Sequence, residues 1–145
     1  MKNLAAVLIL LFMAGPALTG QGEGIANTFT ISGSAVVFFG PSWDEYVALS
    51  AQDKDAIDTE LYDFAHNRLQ VRSYLEANGI QEIFTSSEDI RIQFNSGEII
   101  TYFRSDLGHA FGLIMTDGLN APKVFLGAAT PTELKSMFAE YFGLQ

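Results

Sequence analysis

The sequence predicts a single α/β domain of the mixed α+β kind, a mixed sheet with helices packed on it. Three observations predict it. Ala35–Phe39 (AVVFF) is an unbroken apolar run bounded by Gly40-Pro41, the pattern of a strand buried on both faces in the middle of a sheet. Ser42 is followed three residues later by Glu45, a capping box in which each side chain satisfies a backbone N–H at the other end of the first turn. A helix is therefore expected to start at the carboxyl end of that strand. Further on, stretches of period-two alternation are interleaved with helical periodicity, all within 145 residues, the length of one domain.

Taken in order, residues 1–20 read as a signal peptide. Lys2 is the positive n-region, Leu4–Met13 (LAAVLILLFM) the apolar h-region and Ala14–Gly20 the small-residue cleavage region. The apolar run is short for a membrane span, so export without a stable membrane anchor is expected, to a periplasm or to the medium. Residues 21–27 (QGEGIAN) are a flexible lead-in, and the folded domain is residues 28–145. Thr28–Ser32 alternates as a half-buried strand, and Gly33-Ser34 separates it from Ala35–Phe39, either as a second strand or as one bent strand.

After the Trp43–Leu49 helix, Ser50 is a second N-cap, and a long helical pattern runs to Asn78 with Ile57, Leu61, Phe64, Val71 and Leu75 on one stripe. Acids crowd its first turns while Arg68 and Arg72 come late, which suits the helix dipole. A kink is expected between Ala65 and Leu69, and Asn78-Gly79 is a C-cap. Ile80–Thr85 is a short strand. Ile90–Phe103 is a hairpin turning at Asn95-Ser96-Gly97, Ser105–His109 a loop, and Phe111–Thr116 and Pro122–Leu126 a strand pair. Thr130-Pro131-Thr132-Glu133 is a second capping box with proline at N1, opening a closing helix that Gly143 ends.

The formal charge of −9 argues against nucleic acid, which needs a basic surface to release counterions, and against docking on anionic lipid. A basic protein partner is compatible with it. The absence of cysteine excludes thiol–disulfide exchange, nucleophilic cysteine catalysis and lipidation at a cleavage-site cysteine.

Two segments, VVFFGPSWDEYVAL and FGLIMTDG…APKVFLGAATPTELKSMFAEYF, resemble the thioredoxin-like fold superfamily. In thioredoxins a buried strand runs into a turn that starts the main helix, and an antiparallel strand pair hands over to a C-terminal helix. The resemblance implies that scaffold without its redox activity. Gly40-Pro41-Ser42-Trp43 stands where the family carries Cys-x-x-Cys, His109-Ala110 where it places a cis-proline, and a hairpin where it has a helix.

Five places are candidates for function. The turn Gly40, Pro41, Ser42 and Trp43 is the candidate ligand-binding site: free N–H groups and the positive helix end could hold an anion or carboxylate in a strand-end crevice. A plain helix cap is the simpler reading, since Asp44 and Glu45 already bring negative charge there. His66 with Asp63, one turn apart, could do acid–base work, but no third metal ligand and no nucleophile in a recognised context accompany them, and a surface helix pair accounts for them better. His109 with Asp106 is the other such pair. The acids Asp53 to Asp63 fail the EF-hand pattern, with Asp58 at the obligatory glycine and Phe64 at the twelfth position. No metal and no cofactor are implied. Arg91, Arg104 and Lys123 are expected in ordinary cross-strand pairs; a small positive groove, rimmed by Ser105–His109, is the alternative.

The function expected is that of an exported, non-catalytic binding module. The rivals are a small hydrolase using His66/Asp63 or His109/Asp106, which requires a histidine in a concave pocket near a hydroxyl or carboxylate, and a structural envelope-assembly protein, which requires a large exposed apolar patch.

Overall fold

The computed structural model describes residues 28–42, 44–45, 47–48 and 54–145, with the side chains of 54–59 excepted. The expected signal peptide and lead-in, Trp43 and the Ser50 cap lie outside the described residues. Among those described, the strands are β1 (Thr28–Ile31), β2 (Ala35–Phe39), β3 (Gln81–Thr85), β4 (Asp89–Phe94), β5 (Ile99–Phe103), β6 (Gly112–Thr116) and β7 (Lys123–Leu126). The helices are α1 (Lys54–Gln70), α2 (Arg72–Ala77), α3 (Arg104–Leu107) and α4 (Pro131–Phe142).

The α+β class read from the sequence is the class observed. The strands divide between two sheets, one of order β3-β2-β6-β7 and one of order β1-β4-β5. β2 is central: it pairs parallel with β3 and antiparallel with β6, with Val37 opposite both Ile83 and Ile114. All five of its residues are buried. One face, through Val36 and Phe38, packs with Leu113 and Met115 against Leu61, Phe64, Val71 and Leu75 of the α1–Val71–α2 stretch and Leu134 and Phe138 of α4. The other face, Ala35, Val37 and Phe39, packs against Phe29 and Ile31 of β1 and Ile90, Ile92 and Phe94 of β4. The molecule is thus layered helix–sheet–sheet. The second cover over β2 is another sheet, because β1 and β4 alternate apolar with polar residues and each buries a single face.

Gly33-Ser34 is where the chain crosses from one sheet to the other, which resolves the choice between one bent strand and two. The interruption of the long helix falls at Val71, later than the Ala65–Leu69 kink expected. Val71 is fully buried and sits at φ −93°, ψ −2°, and the hydrogen-bond ladder continues through it, Val71 N–H to Asn67 O and Leu75 N–H to Val71 O. The Asn78-Gly79 cap is present, with Gly79 at φ +69°. So is the second capping box: Thr130 Oγ1 accepts from Glu133 N–H at 3.2 Å and Glu133 Oε2 from Thr130 N–H at 2.8 Å.

Candidate functional site

β2 ends at Gly40, whose N–H bonds the Thr85 carbonyl at 3.1 Å. The packing here is close and favours a small residue, since a Cβ would come within 3.2 Å of the Phe64 ring and 3.6 Å of the Phe84 ring. Gly40 therefore serves packing, and Pro41 is the first residue of the turn to reach the surface depression. Ser42 and Glu45 form the expected capping box, Ser42 N–H to Glu45 Oε2 at 2.9 Å and Glu45 N–H to Ser42 Oγ at 3.2 Å. The capping interaction thus occupies the ends of this turn. Trp43 lies outside the described residues.

A cleft of about 540 Å³ opens beside this turn, lined by Pro41, Glu45 and Ala48 on one wall and Glu88, Arg104, Ser105, Gly108, His109 and Ala110 on the other. It lies at the carboxyl end of β2, where open α/β sheets place ligands. The segment expected as a loop, Ser105–His109, is in part the short helix α3, closed by Gly108 at φ +76°. Gly108 lets the chain reverse so that His109-Ala110 faces Pro41.

The polar groups of the cleft are tied together. Arg104 Nη2 donates to both Glu45 oxygens, at 2.9 and 3.2 Å, Arg104 Nε donates to the Ser87 carbonyl at 3.1 Å, and Arg104 N–H donates to the Glu88 carbonyl at 2.8 Å. The Ser105 hydroxyl and its backbone N–H, the latter at 3.0 Å, both donate to Glu88 and hold its carboxyl below the ordinary glutamate value. His109 Nδ1 accepts from Phe111 N–H at 3.4 Å, and its ring stands edge-on to Phe111 with centroids 4.8 Å apart. With Nδ1 accepting, the proton of the neutral imidazole sits on Nε2.

Arg104 reaches across the cleft to Glu45, so its partner is on another element and not on a neighbouring strand. The alternative of a small positive groove here is not met, since the rim carries two carboxylates against one guanidinium. Arg91 pairs with Asp89 on its own strand at 3.1 Å. His66 lies elsewhere, exposed on α1, with Nε2 2.7 Å from Gln70 Nε2 and its ring stacked on Tyr62. Asp63 is exposed on the same helix, and Asp106 is exposed on α3. Among the described residues no group of three or more His, Asp or Glu could hold a metal ion, and no helix is long and apolar enough to cross a membrane.

The residue that sequence reasoning missed is Arg68. Expected as a late-helix charge, it is 1% exposed and paired with Glu82, whose side chain is 8% exposed. Its guanidinium lies 4.6 Å from the Phe84 centroid and 5.7 Å from that of Phe38. Arg68 Nε and Nη2 have no hydrogen-bond partner, and burial pulls its pKa down against the raising effect of Glu82. A signal was present: position 68 is seven residues after Leu61 and four after Phe64, on the buried stripe itself.

The chain matches no protein-family profile, no curated protein and no solved structure.

Proposed function

We propose that this protein is an exported binding module, periplasmic or secreted, built on a thioredoxin-like scaffold without redox activity, and that it takes a protein partner of basic character in the Pro41–His109 cleft. The observation that carries the reading is the bonding pattern of that cleft. Glu45, Glu88, Arg104 and Ser105 bond one another or backbone groups, an arrangement that presents a fixed polar surface. The excess of carboxylates over cations there, on a chain of charge −9, favours a cationic contact. The scaffold reading is supported by β2 running into the Gly40-Pro41 turn and by the antiparallel pair β6–β7 leading into α4.

A hydrolytic reading has one observation in its favour, the presence of His109 in a concave site with Ser105 and Glu88. Against it, the Ser105 hydroxyl donates to Glu88 and so not to His109, and His109 Nδ1 is engaged by the Phe111 N–H. The test is capture from the native envelope fraction by the wild-type chain and by Ala110→Trp, a substitution at an exposed position that fills the cleft. The expected result is a reproducible partner held by the wild type and lost by the variant. A partner retained by Ala110→Trp, or turnover of an ester or peptide that His109→Ala abolishes, would overturn the proposal.

A further inference from the structure

Sheet edges expose backbone groups that can pair with another strand, and proteins usually protect them with charge, proline or brevity. Among the described residues, two of the four sheet edges carry such protection. β7 begins with Lys123 directly after Pro122, and β3 carries Glu82. The edge at β5 does not: Ile99–Phe103 reads IITYF, five residues with no charge, proline or glycine. Ile99 is 50% and Phe103 48% exposed.

The ladder with β4 shows which β5 groups face outward. Phe94 N–H bonds Glu98 O at 2.9 Å and Arg104 N–H bonds Glu88 O at 2.8 Å, with Thr101 opposite Arg91 between them. Bonded pairs alternate along an antiparallel ladder. Ile100 and Tyr102 therefore bond β4, while Ile99, Thr101 and Phe103 direct N–H and C=O at the open edge. Among the described residues nothing pairs with them.

We infer that β5 pairs antiparallel with β5 of a second copy of this chain, about a two-fold axis at Thr101. Thr101 is the middle of the three outward-bonding residues, so a bonded pair centred there uses all of them. That register sets Ile99 against Phe103 of the partner subunit on the outer face, joining the two exposed hydrophobes of the strand. On the inner face it sets Ile100 against Tyr102 of the partner subunit, extending the layer these residues already share with the core. At each end Glu98 stands opposite Arg104 of the partner subunit, acid against base, on a chain whose charge of −9 would otherwise oppose self-association. Arg104 keeps its bonds to Glu45 in this arrangement. The contact is isologous and closes as a dimer. One five-residue strand makes a small interface, so association belongs to the weak, concentration-dependent class.

The absence of cysteine supplies a clean test. Sedimentation equilibrium on the chain in its native processed form should show a reversible monomer–dimer equilibrium. Thr101→Lys, at an exposed position, puts like charges together at the axis and should raise the dissociation constant about tenfold or more with an unchanged circular dichroism spectrum. Thr101→Cys should cross-link under mild oxidation, since bonded partners have Cα atoms about 5.5 Å apart. Ile99→Cys should not, its two copies lying about 14 Å apart. A wild-type chain that stays monomeric, whether residues 1–27 or nothing covers the edge, would overturn the inference. So would a dimer indifferent to Thr101→Lys, or equal cross-linking at both positions.

Discussion

Arg68 stands where the periodicity of α1 asks for a hydrophobe. Its environment is that of a core residue, between Phe38 and Phe84, with Glu82 as the ionic partner and Arg72 3.7 Å from the same carboxylate. Truncating one member of a buried pair leaves the other charge uncompensated, whereas replacing both removes two desolvation penalties. Arg68→Met is therefore expected to cost about 3 kcal/mol in urea unfolding, the nearby Arg72 softening the loss. Arg68→Met with Glu82→Gln should recover most of it. If the double variant is no more stable than the single one, the pair itself stabilises the fold and its desolvation is not the deciding effect. That Arg68 lies on the buried stripe could be read from its spacing. That an arginine could remain there could not, because the partner that makes it tolerable arrives from β3, fourteen residues later.

Among the elements, the β6–β7 pair carries a close steric constraint at Gly112. Gly112 pairs with Phe39 on one side and Leu126 on the other. A Cβ at 112 would run into the Phe125 carbonyl and come within 2.9 Å of the Phe39 ring, and neither neighbour is the free end of a flexible side chain. Gly112→Ala is expected to destabilise the protein by about 3 kcal/mol through overpacking. Hydrogen exchange should show β7 amides losing protection before those of β2, since β7 is an edge strand and can move away. Equal loss across both strands would mean that β7 does not yield independently. The strand is legible in the sequence as FGLIMT, but the demand for glycine within it is not, since it comes from two neighbouring strands.

For the whole molecule, the two hydrophobic layers meet at β2 and β6, so unfolding of either exposes the central sheet, and a single cooperative transition is expected. Its acid limb follows from the carboxylates. Glu133 is held below its ordinary value by the Thr130 N–H and hydroxyl, Asp117 by the Asn120 N–H and side chain and the Leu119 N–H, and Glu88 by Ser105. A carboxyl whose pKa is depressed in the folded state adds stability that is fully present above its unfolded value and is lost as pH falls toward the folded one. The urea midpoint should therefore be flat near neutrality and decline as pH drops below about 4.5, the ordinary glutamate value. Glu133→Gln keeps a capping acceptor without its charge and should flatten part of that decline. An unchanged acid limb in the variant would show that this cap does not contribute to the pH dependence.

Short-range chemistry was readable from the chain alone. The apolar run of β2, the capping boxes at Ser42/Glu45 and Thr130/Glu133, the hairpin at Asn95–Gly97 and the α+β class all depend on residues within a few positions of one another, where propensity, capping and periodicity act. The tertiary structure decided what required distant segments to meet: the division of the strands into two sheets, the burial of Arg68 against Glu82, and the cleft that joins Pro41 and Glu45 to Glu88, Arg104 and His109. Alternation along a strand states that one face is buried but not what buries it, and a charge's cost depends on partners that only folding brings within reach.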